Sequence, residues 1–74
     1  MRYTEDDFFS KIIEMIDQER SLQDISKQSL NMMNSSINWR KEVRYLALDL
    51  INLTDEQFEM TYLDILSEIR KIIK

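Results

Sequence analysis

Apolar residues recur along this chain every three or four positions, the spacing of one helix face, in four successive stretches. The first stretch holds Phe8, Ile12 and Ile16, with Phe9 on its flank. Thr4 precedes it and Asp7 follows three residues later, close to a capping box, in which two side chains satisfy free backbone N–H groups. Tyr3 and Phe8 are spaced as a hydrophobic staple. Glu5, Asp6 and Asp7 put negative charge at the positive end of the helix dipole. A helix over about 4–20 follows. The second stretch, opened by Ser21 with Asp24 three residues on, is thinner. Leu22, Ile25 and Met33 form a stripe diluted by Ser26 and Ser29. It predicts a helix over 21–33, ending between Asn31 and Asn34, because asparagine tolerates the left-handed conformation that closes helices.

The third stretch starts at Ser35 or Ser36 and predicts a helix over 36–52. Trp39, Val43, Leu46, Ala47 and Leu50 share one face, whereas Ile37, Leu48 and Ile51 lie well around the cylinder from it. A helix apolar on two sides is either central in a bundle or part of an interface. Asn52-Leu53-Thr54 is the sharpest corner. Thr54 and Gln57 make a full capping box, and Leu53 and Phe58 a staple. The fourth helix, over 54–73, carries Phe58, Tyr62, Ile65, Leu66, Ile69, Ile72 and Ile73 on one face. It ends in Arg70, Lys71 and Lys74, suited to the negative end of the dipole. These elements predict an all-α fold: a small three- or four-helix bundle with short tight corners, one domain spanning 1–74. Helices one, three and four are expected to form the main core, and helix two to be the least stable element.

Composition sharpens this picture. A chain of 74 residues buries only about 60% of the surface its unfolded form exposes, so its core is thin. With no cysteine there is neither a disulfide nor a thiolate site to reinforce it. A partner is one source of extra stability, which raises homodimerisation as an expectation. There is no glycine and no proline. Their absence fits helices joined by tight corners and excludes glycine-rich phosphate loops. No apolar run approaches the ~20 residues that span a membrane. The acidic start, Arg2-Tyr3-Thr4-Glu5-Asp6-Asp7, lacks the apolar core of a signal peptide. A cytoplasmic protein with no membrane contact is the expectation. The matches to the glycosylation pattern at Asn34 and Asn52 then read as turn residues.

The candidate chemistry is sparse. Without histidine the commonest general base and metal ligand is missing, and a serine nucleophile has no ordinary activator. The carboxylate pairs that could do acid–base work, Asp6/Asp7 and Asp55/Glu56/Glu59, all fall in first turns of helices, where capping and dipole effects account for them. No cofactor, metal site or catalytic residue is expected, and the chain is read as non-enzymatic. The segment Leu22–Ser29 resembles the first helix of a helix-turn-helix. Asn34 to Arg44 would then supply the turn and recognition helix, with Arg40, Lys41 and Arg44 facing outward. A small DNA-binding regulator is therefore the alternative reading. The net charge of −4, the long interhelical spacing and the missing turn glycine oppose it.

Protein binding remains. Met32 and Met33 beside a break, and Met60 and Leu63 off the main face of helix four, are adaptable surface types. Trp39, Arg40, Arg44 and Tyr45 are residue types enriched at binding hot spots. Trp39 suits a core anchor better, whereas Tyr45 lies across the helix from Val43 and Leu46. The surface selected is Lys41, Arg44, Tyr45 and Leu48, extended by Met60 and Leu63, for another protein or a second copy of this chain. The function this implies is a small regulatory protein that binds and modulates a larger one. Immunity proteins, antitoxins and phage-encoded inhibitors share this size and composition, which is analogy alone. Replacing Thr54 with Ala is expected to remove a cap and lower stability by about 0.5–2 kcal/mol. A thermal melt left unchanged would show that the corner is misread.

Overall fold

The computed structural model describes residues 2–73. Four helices follow one another: α1 (Glu5–Asp17), α2 (Leu22–Asn34), α3 (Lys41–Asn52) and α4 (Asp55–Ile73). Among the described residues there is no strand, only an isolated bridge between Tyr3 and Ser36. The all-α bundle with short connections is thus present. Lys74, expected at the end of α4, lies outside the described residues.

The caps form as their spacing dictates. Thr4 N–H donates to Asp7 Oδ2 at 2.9 Å and Asp7 N–H to Thr4 Oγ1 at 3.2 Å, a reciprocal box at the head of α1. Asp24 N–H donates to Ser21 Oγ at the head of α2. Thr54 and Gln57 repeat the reciprocal pair at the head of α4, at 3.1 and 3.2 Å.

Two positions adopt the left-handed backbone that glycine favours, Glu19 (φ 55°) and Asn38 (φ 53°). The first closes α1: Glu19 N–H donates to the Ile16 carbonyl and Arg20 N–H to the Met15 carbonyl, the paired bonds of a Schellman motif. A β-carbon at this conformation is crowded against the backbone, so the motif forms here at the expense of strain in Glu19. Helix α2 ends at Asn34, within the expected stretch, but it closes on Ser35 without a left-handed residue, and the left-handed asparagine is Asn38, further on.

The largest departure is the start of α3, which begins at Lys41 and not at residue 36. The intervening residues are taken by the N-terminus. Tyr3 N–H donates to the Ser35 carbonyl at 2.8 Å, and Ile37 N–H donates back to the Tyr3 carbonyl at 3.0 Å. That pairing takes up the backbone where a helix would otherwise begin. Trp39 therefore sits in the connection, buried against Phe8 with ring centroids 4.9 Å apart.

The core comprises Phe8, Phe9, Ile12 and Met15 of α1, Ile25 and Met32 of α2, Trp39, then Val43, Leu46, Ala47 and Leu50 of α3, and Ile65 and Ile69 of α4. Helix α3 packs chiefly on α2, and α1 lies against both α2 and α4. The expected core of helices one, three and four is present, but α2 joins it with Ile25 and Met32 on a par with α4. The serines that dilute the apolar stripe of α2 are the reason. Ser29 is fully buried and Ser26 Oγ donates to the Leu50 carbonyl at 2.8 Å, so small side chains admit α3 closely. Met32 is buried and Met33 only partly so, which removes Met32 from any binding surface. Conversely, α4 buries only Ile65 and Ile69. Phe58, Leu66 and Ile72 are partly covered, and Tyr62 and Ile73 are exposed.

Relieving the strained closure of α1 provides a test. Glu19→Gly is expected to raise stability by about 0.5–1 kcal/mol, the steric relief exceeding the entropy glycine adds to the unfolded chain. Denaturant melts of the two proteins measure it, and a destabilised variant would contradict the assigned backbone.

Candidate protein-interaction surface

What orients α3 determines what it shows to solvent. Its first residue follows Arg40, whose own side chain makes no cap. The cap comes from α1 instead. Glu5 Oε2 accepts from Arg40 N–H at 2.6 Å, while Arg40 Nε lies 3.1 Å from both carboxylate oxygens and its Nη2 lies 3.0 Å from Oε1. A carboxylate at this end also faces the positive pole of α3. Trp39 Nε1 donates to the Tyr3 carbonyl at 2.8 Å, so the residue before Arg40 is fixed as well.

From Lys41 onward the helical period sorts the side chains. Val43, Leu46, Ala47 and Leu50 are buried against α2 and the remaining core. Lys41, Arg44, Tyr45 and Leu48 fall three, four and seven residues apart and occupy the opposite side. All four are exposed, Tyr45 by 60% and Leu48 by 41%. Lys41 and Arg44 make no ion pair among the described residues. The other two selected residues, Met60 (78% exposed) and Leu63 (64% exposed), lie one turn apart on the side of α4 away from Ile65 and Ile69. The structure thus gathers four residues on one face of α3 and places the remaining pair on a different helix. Trp39 and Arg40, grouped by sequence with Arg44 and Tyr45, precede the helix and are occupied internally.

A feature not foreseen lies between these surfaces. An open cleft of about 390 Å³ separates α3 from α4, with Leu46, Leu53 and Ile65 along it and Asp49, Asp64 and Glu68 among its lining residues. None of the six selected residues lines it. Leu30 of α2 is a further exposed apolar side chain outside the selection, 43% accessible.

For the alternative reading, the connection between α2 and α3 spans residues 35–40 and is anchored to Tyr3. The usual turn of a helix-turn-helix has three or four residues. Arg40, one of the three cations proposed to contact nucleic acid, is held by Glu5. No family model, curated protein or solved structure matches this chain. No helix among the described residues is long and apolar enough to cross a membrane.

The contact that caps α3 is sensitive to acid. Hydrogen bonds from Arg40 hold the Glu5 carboxyl below its ordinary value, against the opposing effect of burial. A carboxyl with a lowered folded value contributes stability that is present above the unfolded glutamate value, about 4.3, and is lost as pH falls through the folded one. Glu5→Gln is therefore expected to lower stability at neutral pH, with the difference from the parent shrinking on acidification below about pH 4. Melts across that range check the sign, and a difference that grows in acid would refute it.

Proposed function

We propose that this chain is a non-enzymatic interaction protein, which binds another protein chain through the solvent face of α3 and acts by modulating it. One observation carries the reading. Tyr45 and Leu48 are held exposed on an ordered helix, beside two cations that have no partner within the described chain. An exposed tyrosine with an adjacent arginine has the composition of an interface anchor, since both residue types are concentrated at hot spots. The helix is already formed and capped, so little ordering opposes docking. The cationic rim suits a partner surface bearing carboxylates, which would steer encounter and fix register. Met60 and Leu63 supply a second, smaller apolar surface on α4.

The DNA-binding alternative has less support, because the face carries two free cations and the chain as a whole is acidic. Nucleic-acid affinity rests on phosphate contacts and falls steeply with salt. The test is affinity capture from lysate with and without nuclease, at low and high salt, comparing the parent with an Arg44→Glu/Tyr45→Ala variant. A protein retained by the parent and lost by the variant, with helical circular dichroism unchanged, is the expected result. Capture unaffected by the double substitution would remove the face from consideration. Capture abolished by nuclease would favour the alternative.

A further inference from the structure

The solvent face of α3 carries a pattern that specifies its own partner. Written as a heptad, Lys41 and Leu48 fall at d and Tyr45 and Asn52 at a, so the four form one seam along the helix. Arg44 occupies the g position on one flank of this seam. Asp49 occupies the following e position on the other flank. Residues five apart lie on different sides of a helix, so the two cannot pair with each other. Neither forms an ion pair with any other described residue. Two opposite charges are thus held on opposite margins of a seam whose centre is the exposed pair Tyr45 and Leu48.

We propose that a second copy of this chain occupies the face, with the two α3 helices side by side and parallel. In that arrangement g of one helix lies against the following e of its neighbour. Arg44 of each copy then meets Asp49 of the other, twice by symmetry, while Tyr45 and Leu48 close the seam between them. An antiparallel arrangement sets g against g and e against e. It would bring arginine to arginine and aspartate to aspartate, with Glu42 adding to the acidic margin, so the flanking charges select the parallel one, in which Lys41 at d meets its own copy only at the exposed first turn of α3. A free peptide of this length would not stay helical. Here the bundle holds α3 in place on its other side through Val43, Leu46, Ala47 and Leu50, so the pairing helix is preformed. The seam is short, and the dimer it forms is a weak and salt-sensitive one. Pairing leaves Met60 and Leu63 of both copies on other helices.

This inference rests on reading the α3 face as a protein-binding surface, and it names the partner of that face. The experiment is sedimentation equilibrium of the full chain over a wide concentration range at low ionic strength. It compares the parent, Arg44→Glu, Asp49→Arg, the two variants mixed, and the double exchange in one chain. The parent is expected to self-associate, and each single reversal to weaken association on the order of tenfold or more, since attraction becomes repulsion at both contacts. The mixture should restore pairing as a heterodimer. There the carboxylate introduced by Arg44→Glu faces the guanidinium introduced by Asp49→Arg, and the unaltered Arg44 of one chain faces the unaltered Asp49 of the other. The double exchange should restore the homodimer. Restoration on mixing also shows that each variant is folded. Self-association indifferent to both reversals overturns the proposal, as does restoration by neither combination. A parent that stays monomeric overturns it too. In that case, partner capture lost on Tyr45→Ala would leave the face as an interface for a different protein, and capture kept on Tyr45→Ala would remove both readings.

Discussion

The carbonyl of Tyr3 is the point on which the rest of this fold turns. It accepts two hydrogen bonds, from Ile37 N–H and from the indole of Trp39, while the Tyr3 amide is taken by Ser35. Each of these ties residues more than thirty positions apart, and together they place the N-terminal segment alongside the α2–α3 connection. Trp39 is thereby delivered onto Phe8, and Glu5 is brought to the head of α3. The rotation of α3 about its own axis follows from these contacts and from its packing on α2. Which residues of that helix reach solvent is therefore set by its own apolar stripe together with contacts made outside it.

Local signals were legible in the sequence and non-local ones were not. The boxes at Thr4 and Thr54 and the cap at Ser21 form as written, because a cap involves only residues three apart. The start of α3 was misplaced by five residues because Ser36 offers a reasonable cap, and nothing nearby reveals that Tyr3 claims this stretch. The importance of α2 was obscured for a related reason. A hydrophobicity pattern counts serine as polar, whereas in a close helix contact its size matters more, and Ser29 lies wholly inside. The left-handed Glu19 carried no signal, since the motif that requires it ordinarily announces itself with glycine.

The same distinction applies to the binding surface. Four residues spaced by the period of a single helix were correctly expected to share a face, and the exposure of Tyr45 follows from its opposition to Val43 and Leu46. Met60 and Leu63 were correctly expected to be exposed, but whether two helices present one continuous surface depends on how they are set against each other. The cleft between α3 and α4 was hidden for that reason. Its lining is assembled from Leu46, Asp49 and Asn52 on one side and Thr61, Asp64 and Ile65 on the other, and neither half is distinctive alone.

The uneven burial of the four helices has a kinetic consequence. Contacts between α2 and α3 join neighbours in sequence, so they close a short loop and are favoured early in folding. The Tyr3 contact closes a much longer loop and must await the Ser35–Trp39 connection. Helix α4 has only Ile65 and Ile69 buried, fewer than any other helix. Local opening follows the least buried unit. Opening at α4 is therefore the least costly local excursion of the bundle, and the side chains it would uncover belong to the shared core.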